Sequence, residues 1–117
     1  MIPSIEDREF DGAIEKATVP VLVEFWQPGC GHCQALLKEL ELVQEELGNR
    51  LLLFKMNVQE NFLIPGELDI QSLPTLALFV GGKFETFIGG IGQKQEILKQ
   101  LTKWTVFPNE VFPSRRT

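Results

Sequence analysis

The sequence predicts an α/β fold with a central mixed β-sheet flanked by helices, and three observations predict it. A dense apolar run over 19–26, an amphipathic stripe from about 30 to 47 and a second apolar run over 51–58 follow the order strand, crossover helix, parallel strand. Two further apolar arms, 75–80 and 83–88, flank Gly81-Gly82, a two-residue hairpin signal. A length of 117 residues suits one domain able to bury a core without disulfide staples. We expect that domain over 1–105, with 106–117 an unassigned tail.

Taken in order, Ser4 and Asp7 form a capping pattern, and Phe10, Ala13, Ile14 and Ala17 recur at helical spacing, which places a helix over about 6–17. Residues 18–20 end it. The run from Val19 to Trp26 is almost wholly apolar and rich in β-branched residues, as a strand buried on both faces requires; Pro28 and Gly29 break it. Leu36, Leu40, Val43 and Leu47 then line one face of a long helix closed by Gly48-Asn49, while Lys38, Glu41 and Glu45 fall largely outside that stripe. Leu51 to Val58 predicts a second buried strand. Pro65-Gly66 interrupts 60–70, which is expected to be irregular or briefly helical. In the hairpin's second arm Phe84, Thr86 and Ile88 alternate with Lys83, Glu85 and Phe87. Ile97, Leu98, Leu101 and Trp104 give a last amphipathic helix.

Composition narrows the function classes. Hydrophobic residues make up 44% and charged residues 23%, with a mean hydropathy near zero, so neither disorder nor a fibrous repeat is indicated. The net charge of −5, with basic residues scattered apart from Arg115-Arg116, argues against a nucleic-acid surface. Apolar stretches are far shorter than the roughly 20 residues of a membrane helix, and no signal-peptide pattern opens the chain. A cytoplasmic address is expected, with an exported form whose leader has been removed as the alternative, and a monomer is expected.

The two cysteines form the tetrad Cys30-Gly31-His32-Cys33 where a buried strand gives way to a helix. Unpaired backbone N–H groups and the helix dipole at that end favour negative charge, so Cys30 should ionise more readily than a free thiol of pKa about 8.5. Three positions is nearly one helical turn, which brings Cys33 within reach to displace a substrate held on Cys30. His32 can donate hydrogen bonds or positive charge to the thiolate, and stabilising the reduced form makes the disulfide a better oxidant. Half of a zinc site is one alternative, although no second cysteine pair exists and the sole histidine lies inside the motif. Buried inert cysteines are another. Glu24 is the only charge in the first strand run and Lys55 the only one in the second. Adjacent parallel strands could bring them together beneath the cysteines, where a buried carboxylate can exchange protons near neutral pH.

Phe25-Trp26-x-Pro28-Gly29-Cys30-Gly31-His32-Cys33, with Leu73-Pro74-Thr75 forty residues on and a glycine-bounded final hairpin, is similar to the thioredoxin superfamily over about 4–104. The Cys-Gly-His-Cys tetrad resembles that of protein disulfide isomerase domains, whereas thioredoxins proper usually carry Gly-Pro. The resemblance implies an acidic residue at Glu24 with a lysine at Lys55, and a cis bond before Pro74 lying against the disulfide. Leu73 would then offer backbone groups to an extended substrate, with Thr75 beside it. It also implies a groove-lining glycine at Gly90 and a tryptophan, Trp26, packed under the active-site loop. No cofactor is implied beyond the redox-active disulfide, and no metal. Protein thiols and disulfides are the implied substrates, with a reductase or oxidase as partner.

Four features depart from the family pattern. Gly29 stands where a tryptophan usually precedes the first cysteine, which reduces the apolar surface beside Cys30. Lys38 replaces a helix-kinking proline. Only Met1 to Pro3 precede the first helix, so the N-terminal strand should be short or absent. Leu73 is nearer the thioredoxin style than the aromatic residue common in disulfide isomerases. The expected activity is thiol–disulfide exchange by Cys30 and Cys33; the other reading is a binding module or chaperone on the same fold, in which redox turnover is incidental.

Overall fold

The most apolar run of the chain becomes the middle of the sheet. In the computed structural model, which describes residues 1–89 and 92–105, β1 (Val21–Trp26) is buried at every position up to Phe25. It pairs in parallel with β2 (Leu52–Asn57) and antiparallel with β3 (Thr75–Val80), which pairs antiparallel with β4 (Lys83–Ile88). The order is β2-β1-β3-β4. Alternation along β1 divides the core. Val21, Val23 and Phe25 pack with Phe10 and Ile14 of α1 (Asp7–Lys16) and Ile64 of α3 (Leu63–Glu67). Leu22 faces the other way, onto Leu36, Leu40 and Val43 of α2 (Gly31–Leu47) and Ile97 and Leu101 of α4 (Lys94–Leu101). The α2 stripe is the one its spacing predicts, and the helix runs unbroken through Lys38.

Three expectations need correction. The strand over 52–57 is not buried on both faces: Leu52 is 40% exposed, on the outer strand of the four. Its free edge receives the N-terminal segment, where Ser4 bridges Lys55. The Ile5 N–H donates to the Lys55 carbonyl and the Lys55 N–H to the Pro3 carbonyl, both at 2.9 Å. The N-terminal strand is thus short, as expected, reduced to this single bridge.

The helix cap is not Ser4. Glu6 occupies the N-cap, and its N–H donates to Glu9 Oε1 at 3.0 Å, which is the reciprocal half of a capping box. Asp7 instead reaches across to α3, where its carboxylate accepts the N–H groups of Phe62, Leu63 and Ile64 at 2.8, 2.9 and 3.0 Å. Buried Asn61 completes the clamp, accepting the Asp7 N–H at 2.8 Å and donating to the Asn57 carbonyl at 3.0 Å. These anchored donors explain how a helix as short as α3 forms in the segment broken by Pro65-Gly66.

The alternation read in the hairpin's second arm also fails. Gly81 and Gly82 take φ of 63° and 83°, the left-handed pair that a tight hairpin turn needs. The ladder then shifts register, Leu78 facing Thr86 and Phe79 facing Phe84, so Glu85 is an extra residue. That bulge turns Phe84 to the same side as Phe87, and their ring centroids lie 4.9 Å apart. Both rings are partly exposed, and Ile88 is the only buried residue of β4. The tail expected over 106–117 lies outside the described residues.

Candidate active site

Cys30 is placed by the end of β1 and the start of α2. The strand gives way at Gln27, and Gly29 adopts φ 85°, a left-handed conformation that suits glycine and would strain a tryptophan here. Cys30 is the N-cap of the 17-residue α2. Its Sγ accepts the backbone N–H of Cys33 at 3.1 Å, so one of the unpaired donors at this helix end is already aimed at the sulfur. Cys30 and Cys33 are joined in a disulfide, with Cα atoms 5.2 Å apart. The two sulfurs differ in access: Cys30 is partly exposed, whereas Cys33 is fully buried. A thiolate released at Cys30 would meet solvent, and one at Cys33 would meet only protein.

Beneath α2 the sheet contributes the predicted pair. Glu24 and Lys55 are direct partners in the β1–β2 register, and Glu24 is completely buried. Among the described residues neither of its carboxylate oxygens has a hydrogen-bond partner. Burial raises the carboxyl to about 8, although the Lys55 ammonium pulls it down. Lys55 Nζ lies 5.2 Å from the centroid of the Trp26 ring, a cation–π distance, and the buried Trp26 Nε1 is likewise unpartnered. Glu24, Lys55 and Trp26 thus form one group on the α2 side of the sheet.

The Leu73–Pro74 bond is cis. Pro74 lines a pocket of about 230 Å³ with His32, Ala35, Leu36 and Gly92, so the loop before β3 and the start of α2 meet at one surface. Thr75 is turned back by its own hydroxyl, which donates to the Ser72 carbonyl at 2.6 Å. On its other side Pro74 borders a wider depression shared with Gln71, Phe87 and Gly89. His32 and Gly31 are exposed at the helix start. Gly90 falls outside the described residues. The sequence offers Ala35 no site role, although Ala35 stands three positions after His32 and so shares its helix face; it places Leu36 only in the helix stripe and Phe87 only in the hairpin alternation that the bulge breaks. Among the described residues no group of three His, Cys, Asp or Glu could hold a metal ion, and no helix is long and apolar enough to cross a membrane.

Comparison with known proteins agrees with this geometry. The family model for thioredoxin matches residues 1–103. The thioredoxin of Rickettsia prowazekii (strain Madrid E) is 32% identical over 103 residues, covering 88% of this chain and 98% of its own. That of Acidithiobacillus ferridurans is 37% identical over 92 residues, covering 78% and 85%. The chloroplastic thioredoxin M2 of Arabidopsis thaliana is 34% identical over 91 residues, covering 77% of this chain and 49% of that protein. Such proteins work through a redox-active disulfide with no separate cofactor. With its closed cysteine pair seated at a helix start beside a cis-proline, this chain belongs to the thioredoxin family of thiol–disulfide oxidoreductases.

Proposed function

We propose that the chain exchanges disulfides with protein substrates, Cys30 acting as the attacking thiol and Cys33 as the resolving one. The observation that carries the assignment is the asymmetry of the two sulfurs: Cys30 is accessible and accepts a backbone N–H at the helix N-terminus, whereas Cys33 is sealed beneath it. In the reducing direction the Cys30 thiolate attacks a substrate disulfide. One substrate sulfur leaves as a thiolate and takes a proton, and the other stays bound to Cys30. Glu24, in its ionised form, which the Lys55 ammonium favours, accepts the Cys33 proton and so becomes the neutral acid. The Cys33 thiolate then attacks Cys30 Sγ, the mixed disulfide breaks, and the second substrate sulfur departs. Two electrons have passed to the substrate and the Cys30–Cys33 disulfide has closed, to be reopened by a partner reductase. An oxidising cycle runs the same steps backwards, with an oxidase as partner.

An extended substrate segment lies along Leu73 and Pro74, pairing with the Leu73 backbone in the manner of an added strand. Trp26, Gly29, Gly31 and Thr75 shape the approach. His32 raises the potential above that of thioredoxins, about −270 mV, towards the roughly −180 mV of protein disulfide isomerase. Titration in glutathione buffers measures it, and a potential below −270 mV would overturn the role given to His32.

Replacing Cys33 with serine tests the exchange mechanism directly. The variant should accumulate mixed disulfides between Cys30 and its substrates and lose turnover by at least about a hundredfold, because only intramolecular attack clears the intermediate quickly. A binding module or chaperone on this fold would instead keep its biological activity with both cysteines replaced.

A further inference from the structure

A second concave site lies on the side of the sheet away from the cysteines. It is a cleft of about 190 Å³ between α1, α3 and the β3–β4 turn, and it shares no residue with the pocket at His32 and Pro74. Its apolar part is built on aromatic rings: Phe10 and Phe79 meet edge to face at 5.0 Å, and Phe79 and Phe84 at 5.8 Å. Phe84 leaves 41% of its surface in solvent, because the bulge at Glu85 turns it to this side. The turn is held against α1, where a Cβ at Gly82 would stand 4.0 Å from the Glu15 Cα.

The rim decides what such a cleft accepts. Asp11 and Glu15 on α1 and Glu67 on α3 border it, and among the described residues no lysine or arginine lines it. Among the described residues none of these three carboxylates takes part in an ion pair. Three exposed carboxylates around an aromatic hollow repel an anion and leave a neutral apolar group beside uncompensated charge. A guanidinium suits both halves: its plane stacks on ring faces, its N–H fork pairs with carboxylates, and the aliphatic stem covers apolar surface. The net charge of −5 attracts a basic partner in the same sense.

We propose that this cleft is a docking site for an arginine side chain of a partner polypeptide. Being separate from the redox end, it would hold a partner while Cys30 stays open to substrate.

Titration of the isotope-labelled protein with Ac-Ala-Arg-Ala-amide, followed by amide NMR shifts, tests the assignment. Saturable shifts are expected at α1, α3 and residues 81–84, with those at 30–35 unmoved. The citrulline peptide, isosteric but uncharged, should bind at least about fivefold more weakly, and so should the arginine peptide to a Glu15→Gln/Glu67→Gln variant. Both replacements are exposed, and reduction of the disulfide by dithiothreitol should proceed as before. Equal affinity for citrulline, undiminished binding to the double variant, shifts centred on 30–35, or the same shifts from guanidinium chloride at equal concentration would each overturn the proposal.

Discussion

Glu24 is a fully buried carboxyl with no hydrogen-bond partner among the described residues, and that burial fixes how its proton is linked to folding. Holding it at about 8 against an ordinary 4.5 corresponds to about 5 kcal/mol at 1.36 kcal/mol per pH unit. Below pH 4.5 both folded and unfolded chains carry the proton and the full stability is present. As pH rises towards 8 the unfolded chain releases it and the folded chain does not, so stability falls across that window and levels off above it. Glu24→Leu should abolish most of this slope and make the protein more stable than the parent at pH 8.5, with little change at pH 4.5. Urea midpoints at the two pH values measure it; an unchanged slope would remove Glu24 as the source. The same variant should slow resolution of the mixed disulfide. At this scale the site was largely legible, because Cys30, Cys33 and a lone charge in each apolar run stand out in one dimension. Orphaned atoms such as Trp26 Nε1 do not, since they depend on what fails to approach them.

Among the elements, α3 depends most on a distant residue. Five residues long, it could not persist alone, and its first N–H groups are held by Asp7 from the far end of the chain. Asp7→Ala should cost about 2 kcal/mol and speed hydrogen exchange at Ile64, Gly66 and Leu68, while Asp7→Asn should lose about half as much. Unchanged exchange in α3 would show that packing of Ile64 and Pro65 suffices. Such a clamp spans 54 positions between Asp7 and Asn61, and capping rules look only three or four positions ahead, which is why Asp7 was read as part of the α1 cap. The bulge escaped for a related reason: strict alternation is assumed until a register shift is seen, and nothing in Phe84-Glu85-Thr86 announces one. The Gly81-Gly82 turn and the α2 stripe, set by local backbone and period, were read correctly.

Across the whole molecule the sheet separates two cores that scarcely share side chains. Leu40 belongs to the α2 side and Phe10 to the α1 side, so Leu40→Ala and Phe10→Ala should each cost about 3 kcal/mol and add to within about 0.5 kcal/mol. Denaturant titration of the two single variants and the double variant checks this, and a marked departure from additivity would mean that the sheet transmits strain between its faces. Fold class was the easiest feature to read, since a strand, a crossover helix and a parallel strand leave few topologies open. Which strand would lie outermost was not readable, and that misplaced Leu52. Both margins of this sheet turn out to be blunted, one by Pro3 to Ile5 fastened along β2, the other by the kink at Glu85 between Lys83 and the end of β4. A stray chain looking for a template finds no straight ladder to copy at either side. Those two margins should slow fibril growth at high concentration even with two phenylalanine rings in view, with no part played by the sulfur chemistry.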